Sequence, residues 1–289
     1  MFSIIIPTLN NLTYLKLCIE SIKKNSRYKH EIIPHVNIGT DGTLEYLKKN
    51  NIKFTYTKEN SGICKGMNLA AKESKNEYIL YAHDDFYFCP DWDLILKNEI
   101  DKIGHNLFYL SGTMMHKGQI NFNCGNSFED FDEKKFLSNY KDYNYYDFQG
   151  STWAPHLIHR DIWNKVEGFS EEFYPGTGSD PDLNMKLWKL GVRIFKGIND
   201  FKVYHFGSIV TRKYKGDSKI ITESGSKGGK IFLLKWGMTI KFFKKFIMKS
   251  DTKFNGELKD PIRNFNFYIN LFITKINFFY VKYFYKIKI

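Results

Sequence analysis

Residues 78–92 read YILYAHDDFYFCPDW, an apolar run closed by two adjacent carboxylates, Asp84 and Asp85. The aromatic and β-branched residues from Tyr78 to Ala82 predict a short buried strand, so the acids stand where that strand ends. In an open α/β sheet, ligands bind outside the carboxyl ends of the strands. A hard divalent cation takes carboxylate oxygens and keeps positions for phosphate, so one or two acids there can tether a metal on a diphosphate. The same pair also fits an Asx turn or a helix cap.

Upstream, strand-like runs at Phe2 to Ile6, Glu31 to Val36 and Lys53 to Tyr56 alternate with helical patterns at Leu12 to Lys24, Thr43 to Lys49 and Gly66 to Glu73. In the first helix Leu12, Leu15, Ile19 and Ile22 recur at helical spacing. This βαβαβαβ order predicts a mostly parallel, Rossmann-like sheet flanked by helices. Downstream, Asp101 to Asp147 carries no readable period. Regular signals resume at Trp153 to Ile158, with helices at Arg160 to Val166 and Pro181 to Leu190 and strands at Val192 to Phe195 and Lys202 to Phe206.

Charge is unevenly placed. The net +12 is concentrated after residue 226, where fourteen Lys or Arg face three acids, so the main body lacks a basic groove for nucleic acid. We therefore divide the chain into a catalytic domain, 1–226, and a basic, aromatic helical tail, 227–289. Within the domain, 1–100 is the nucleotide-binding half and 101–226 the acceptor half. In the tail, Phe232, Trp236, Ile240, Phe243 and Ile247 face away from Lys241, Lys244, Lys245 and Lys249, the pattern of a basic amphipathic helix. A second helix, Phe265 to Ile289, is apolar nearly all round but interrupted by Lys275, Lys282 and Lys286. Neither holds the roughly 20 uncharged residues of a bilayer span. They fit either an anionic membrane surface or packing on the protein. Cys18, Cys64, Cys89 and Cys124 form no CxxC pair, which fits a reducing compartment, and the start MFSIIIPTLN does not read as a signal peptide.

Other segments offer polar groups at strand ends. NIGTDGT (37–43) is a Gly-rich turn, and TKENSGICKGMNLA (57–70) places Gly62 and Gly66 at a helix start without the ending of a P-loop. YPGTGSDPDLNMKLWKLG (174–191) delivers Asp180 and Asp182 to the first turn of an amphipathic helix, with Pro181 at the first position and Asp180 as its N-cap. A cap can still act as a base if its second oxygen faces a substrate. His205 closes a strand in VYHFGS, as a metal ligand or a polar surface residue.

Taken in this order, the motifs resemble family-2 glycosyltransferases of the GT-A fold, across roughly residues 2–206. The resemblance implies an inverting, nucleotide-sugar-dependent transferase, with a UDP-sugar donor, a glycan or lipid-linked acceptor, and Mn2+ or Mg2+ as cofactor. SIIIPTLNN resembles the strand and loop that hold the nucleotide base, implicating Pro7, Thr8 and Asn10. NIGTDGT resembles the turn contacting base or ribose near Asn37. NSGICKGMN matches the N-x-G segment through Asn60, Gly62 and Asn68. HDDFYFCPDW resembles the acidic DxD motif, with Asp85 as direct metal ligand and Asp84 on ribose or metal. SDPDLNMKLWKLGVRIF resembles the base-bearing segment, which places the base on Asp180 with Asp182 in reserve. His205 matches a third metal ligand of some relatives. The chain departs from the pattern at Val36 and Asn37, where acids are frequent, at Met67, often Arg, which leaves Lys65 for the diphosphate, and at Ser179, often Glu. Trp153 fits either a sugar-stacking platform or a core residue. The setting implied is cytoplasmic, peripheral on the inner membrane face, in cell-surface polysaccharide or glycolipid synthesis. A nucleotidyltransferase and an inactive sugar-binding scaffold are the alternatives; the former lacks its basic Gly-rich loop in PTLNN.

Overall fold

The computed structural model describes residues 1–207 and 218–285. Nine strands among the described residues are β1 (Phe2–Leu9), β2 (Glu31–Asn37), β3 (Thr55–Thr57), β4 (Tyr78–Tyr81), β5 (Phe86–Phe88), β6 (Phe108–Met115), β7 (Phe148–Gln149), β8 (His156–His159) and β9 (Ile194–His205). They form one sheet in the order β3-β2-β1-β4-β8-β6-β9-β5, with β7 against β9. β1 to β4 are mutually parallel, β6 runs parallel to β9, and β8 joins the two groups by pairing antiparallel with β4 and β6. β5 and β7 are antiparallel to β9.

Residues 2–6 of β1 are buried throughout, which explains why that strand runs apolar without alternation: helices cover both faces. On one side α1 (Leu12–Asn25) inserts Leu15, Cys18, Ile19 and Ile22. Its first turn is capped from afar, since the Asp41 carboxylate accepts the Leu12 N–H at 2.8 Å and places negative charge at the helix N-terminus. α2 (Thr43–Lys49) follows, and α3 (Gly62–Lys72) buries Cys64, Met67, Ala70 and Ala71. α3 begins one turn before the predicted Gly66. Gly66 itself lies under the His35 ring, where a β-carbon would clash.

The middle of the chain is more regular than its sequence pattern. α4 (Trp92–Ile103) and the eight-residue β6 both escaped the periodicity reading. β6 is buried on both faces and so lacks alternation. The two strands expected at 192–195 and 202–206 are one, β9, whose register against β6 shifts between Gly112 and Thr113; the irregularity explains the interrupted pattern. α5 (Glu133–Asn139), α6 (Arg160–Lys165) and α7 (Ser179–Leu190) complete the body. α7 is capped by Gly178, in the left-handed region at φ 87°. Asp180 is therefore in the first helical turn, not the N-cap, a correction of one to two residues.

The tail differs more. α8 (Ser218–Trp236) ends before Gly237 and is followed by α9 (Ile240–Phe242), which widens into a π turn over Phe243–Met248. The single amphipathic helix expected from Phe232 to Ile247 is thus broken, because Gly237 adopts a left-handed φ of 67°. Its apolar residues Phe232, Phe243 and Ile247 are buried in the main core. They serve the protein interior and are closed to a membrane. The expected boundary between 226 and 227 falls inside α8. α10 (Phe265–Phe284) packs through a stripe of Phe267, Thr274 and Val281; the predicted end at Ile289 lies outside the described residues. No helix of the described residues is long and apolar enough to cross a membrane. All four cysteines are free and buried.

Candidate active site

The carboxyl ends of β1 to β4 open at one edge of the sheet, and the loops there carry most of the residues singled out above. Pro7 and the buried Thr8 lie in β1, and Asn10 follows at φ 47°, its side chain accepting the Thr40 N–H at 2.9 Å. Asn37 ends β2 and is buried; its Oδ1 accepts from the Ser61 N–H at 2.8 Å and faces the Ser61 and Thr57 hydroxyls. That oxygen therefore ties the second strand to the loop before α3. Asn60 accepts the Gly62 N–H at 3.0 Å, an Asx turn that opens α3. Gly62 has φ +75°, and a β-carbon there would lie 2.7 Å from the Tyr174 ring, so glycine is required both by backbone and by contact.

One residue of α3 that the family pattern implicates is taken up by the protein itself. Asn68 uses its amide on the Phe169 backbone, donating to the carbonyl at 2.8 Å and accepting the N–H at 2.9 Å. This is a bracket between α3 and the loop before α7. Lys65 is exposed, while Met67 is buried in the core.

At the end of β4 the two acids differ. Asp84 is buried, and burial, then the Asp85 charge, push its carboxyl up to about 8. The Thr8 hydroxyl and Asn11 amide temper that rise, but Asp84 Oδ2 closes no hydrogen bond. Asp85 is turned toward β9: the β5–β9 pairing sets Phe86 opposite His205, the Phe206 N–H donates to the Asp85 carbonyl at 3.2 Å, and His205 Nε2 lies 3.7 Å from Asp85 Oδ2. A third group joins them. One nitrogen of His83, one oxygen of Asp85 and one nitrogen of His205 all lie within 4.8 Å of one another. His83 was missed in the motif reading, although a histidine immediately ahead of two strand-end acids was its visible signal. The donor set of two imidazoles and a carboxylate suits a divalent transition metal, so these residues fit the cation that the acidic motif implies.

α7 brings its own acids to the same end of the sheet. Asp180 is partly open, yet its Oδ1 is buried without a partner, and burial raises its carboxyl to about 7. Burial pushes the Tyr81 phenol well above its ordinary value, with Asp180 and Asp84 both adding to the rise. Asp180 and Asp84 therefore both lie near enough to the Tyr81 phenol for their charges to act on it. Asp182, two residues on, points inward and is fully buried. Its oxygens accept from Trp236 Nε1 at 2.7 Å and Ser170 Oγ at 2.6 Å, and Lys235 Nζ lies at 3.0 Å. This is an anchor for α8, with both oxygens committed, which corrects its placement as a reserve base. Trp153 is half-buried, stacked on Phe148 at 5.6 Å and covered by Lys244 at 5.3 Å; its ring is already engaged by the protein.

The comparisons bear on the family and the fold. The pattern of the family described as "Glycosyl transferase family 2" matches residues 3–163. Among solved structures, S. aureus TarS 1-349 in complex with UDP superposes with a TM-score of 0.55 at 18% identity, covering 85% of this chain and 72% of that one. The same protein with UDP-GlcNAc gives 0.53 at 16% identity, covering 84% and 72%. Against the longer S. aureus TarS structure the TM-score is 0.54 at 18% identity, and the match spans 81% of this chain but 42% of that one. No curated protein matches the chain. The structural likeness establishes the GT-A fold, and the family pattern covers more than half of the chain: the protein belongs to glycosyl transferase family 2 and is a glycosyltransferase.

Proposed function

We propose that the protein moves a sugar from a nucleoside-diphosphate sugar, a UDP-sugar by analogy with the TarS complexes, to a hydroxyl of a glycan or lipid-linked acceptor, with inversion. The observation that carries this reading is Asp180, a carboxylate with one unpartnered oxygen and a pKa raised to about 7, near the Tyr81 phenol, whose hydroxyl pairs with His83 of the metal-type cluster. A general base is most effective when its pKa is near the working pH. Asp180 takes the acceptor hydroxyl's proton as that oxygen attacks the anomeric carbon and the nucleoside diphosphate departs on the opposite face. Pro7, Thr8, Asn10 and Asn37 hold the nucleoside end, Asn60, Gly62 and exposed Lys65 the diphosphate side, and Asp84 the ribose. His83, Asp85 and His205 would hold the divalent cation, which supplies positive charge against the departing phosphates. A thermal-shift panel of nucleotide sugars with and without Mn2+ tests the class: one donor stabilises the protein only with metal, and a panel in which none does overturns the reading.

A second observation favours attachment to a membrane on its cytoplasmic side. On α10, Phe265, Phe272 and Tyr283 are 82%, 65% and 70% exposed, with Lys275 and Lys282 among them. One aromatic, lysine-bearing helix face left open on a tail of strong positive charge fits an anionic lipid surface. Free, buried cysteines agree with a reducing compartment. Flotation with anionic vesicles recovers the full chain, and Phe272→Asp with Tyr283→Asp leaves it behind; equal recovery of both removes the membrane role.

A further inference from the structure

The cluster at the end of β4 is built from nitrogen as much as oxygen. His83, in the loop after β4, and His205, the last residue of β9, both approach Asp85, and Phe86 lies between the imidazoles. Its ring stacks on His83 at 5.0 Å with a 20° interplanar angle and meets His205 edge-on at 5.1 Å and 78°. Each imidazole also has one ring nitrogen held from behind. His83 Nε2 pairs with the Tyr81 hydroxyl at 3.0 Å, and His205 Nδ1 meets the Lys117 carbonyl at 3.4 Å while its Nε2 faces Asp85. Outer partners of this kind fix the tautomer and ring orientation of metal-binding histidines.

We infer that His83, Asp85 and His205 form a mixed nitrogen and oxygen cation site that selects a later first-row divalent ion, of the Co2+ or Zn2+ type, over Mg2+, with His83 a ligand on equal terms with Asp85. Mg2+ dehydrates reluctantly and takes oxygen donors, whereas imidazole favours Co2+ and Zn2+, and affinity for a given site rises from Mn2+ toward these ions. Asp84 does not join the set; its carboxyl is buried beside Thr8 and Asn11. Phe86 is a positioning residue, the wall that sets both rings. The inference deepens the glycosyltransferase reading at the same site but is measured without a donor.

The test uses the full chain stripped with chelator. Co2+ titrated by calorimetry and visible absorption fills one site, and a 100-fold excess of Mg2+ leaves most of it bound. His83→Ala and His205→Ala each weaken Co2+ binding at least tenfold with an unchanged melting temperature in metal-free buffer. Spin-echo modulation of Mn2+ bound to the unaltered chain shows coupling to imidazole nitrogen, a readout independent of any variant. Equal competition by Mg2+, or absence of nitrogen coupling, overturns the inference. Selective Co2+ binding with no nucleotide sugar stabilising the protein would instead leave the cation site standing and remove the transferase reading of its purpose.

Discussion

The site holds two pairs of aspartates, one at the end of β4 and one in the first turn of α7, and the pairs resolve in opposite directions. In α7 the first acid, Asp180, has one buried oxygen without a partner and the second, Asp182, is consumed by Trp236, Ser170 and Lys235. At β4 both acids are buried; the first, Asp84, is pushed toward its neutral form, while the second, Asp85, faces the two imidazoles. Spacing does not decide these roles. Packing does: in α7 the buried acid is taken up by the side chains around it, and at β4, where both acids are buried, one meets two imidazoles and the other has an oxygen without a partner.

The largest expected effect tests the outward member of the α7 pair. Asp180→Asn removes the base while keeping the shape, and transfer falls by about 10²–10⁴-fold, the usual range for general-base catalysis, with donor binding by calorimetry nearly unchanged. Near-normal turnover would place the base elsewhere. Next comes its inward partner. Asp182→Ala leaves the Trp236 indole and the Ser170 hydroxyl without their acceptor, while Lys235 keeps Glu172 at 2.7 Å; an unsatisfied buried donor costs roughly 1–3 kcal/mol, read as a lower denaturation midpoint. If Asp182→Asn instead lowers turnover with no loss of stability, the division of labour in α7 is reversed. The pH profile sharpens the same contrast. Asp180 works only as a carboxylate and titrates at about 7, so kcat/KM falls about tenfold per unit as pH drops below about 6 and levels above about 8.

Much of this was legible in the residues. The alternation of β1 to β4 with α1 to α3 could be read because each helix buries a single stripe, Leu15, Cys18, Ile19 and Ile22 in α1, and each strand is a short apolar run. β6 could not, since a strand buried on both faces has the same appearance as a buried helix fragment. Asp180 and Asp85 were found through the order of motifs. His83 was overlooked because only the β5–β9 register brings His205 to its side. The anchoring of Asp182 had no local signal at all, as its partners Lys235 and Trp236 come from α8, more than fifty residues later. The tail pattern misled for a related reason: an apolar stripe at helical spacing is the same whether it meets lipid or protein, and Gly237 divides it so that Phe232 and Phe243 meet in the core at 5.7 Å.

The smallest effect concerns Asp84. A carboxyl whose folded pKa is raised from 3.8 to about 8 binds its proton more tightly in the folded state, so folding stability is lost as pH rises between those values and is constant above them. Asp84→Asn removes the ionisable group and with it the repulsion from Asp85. In metal-free buffer the variant is more stable than the unaltered chain at pH 8 by roughly 1–3 kcal/mol, a fraction of the full linkage because Asp85 and the donors of Thr8 and Asn11 share the strain. The gap narrows as pH falls and closes near pH 4, where the native carboxyl is protonated in both states. Denaturant midpoints at pH 4, 6 and 8 follow it directly. A gap of the opposite sign at pH 8 would mean that Asp84 is held as a charged group by its neighbours, and the β4 pair would then, like the α7 pair, contain one acid anchored by the protein.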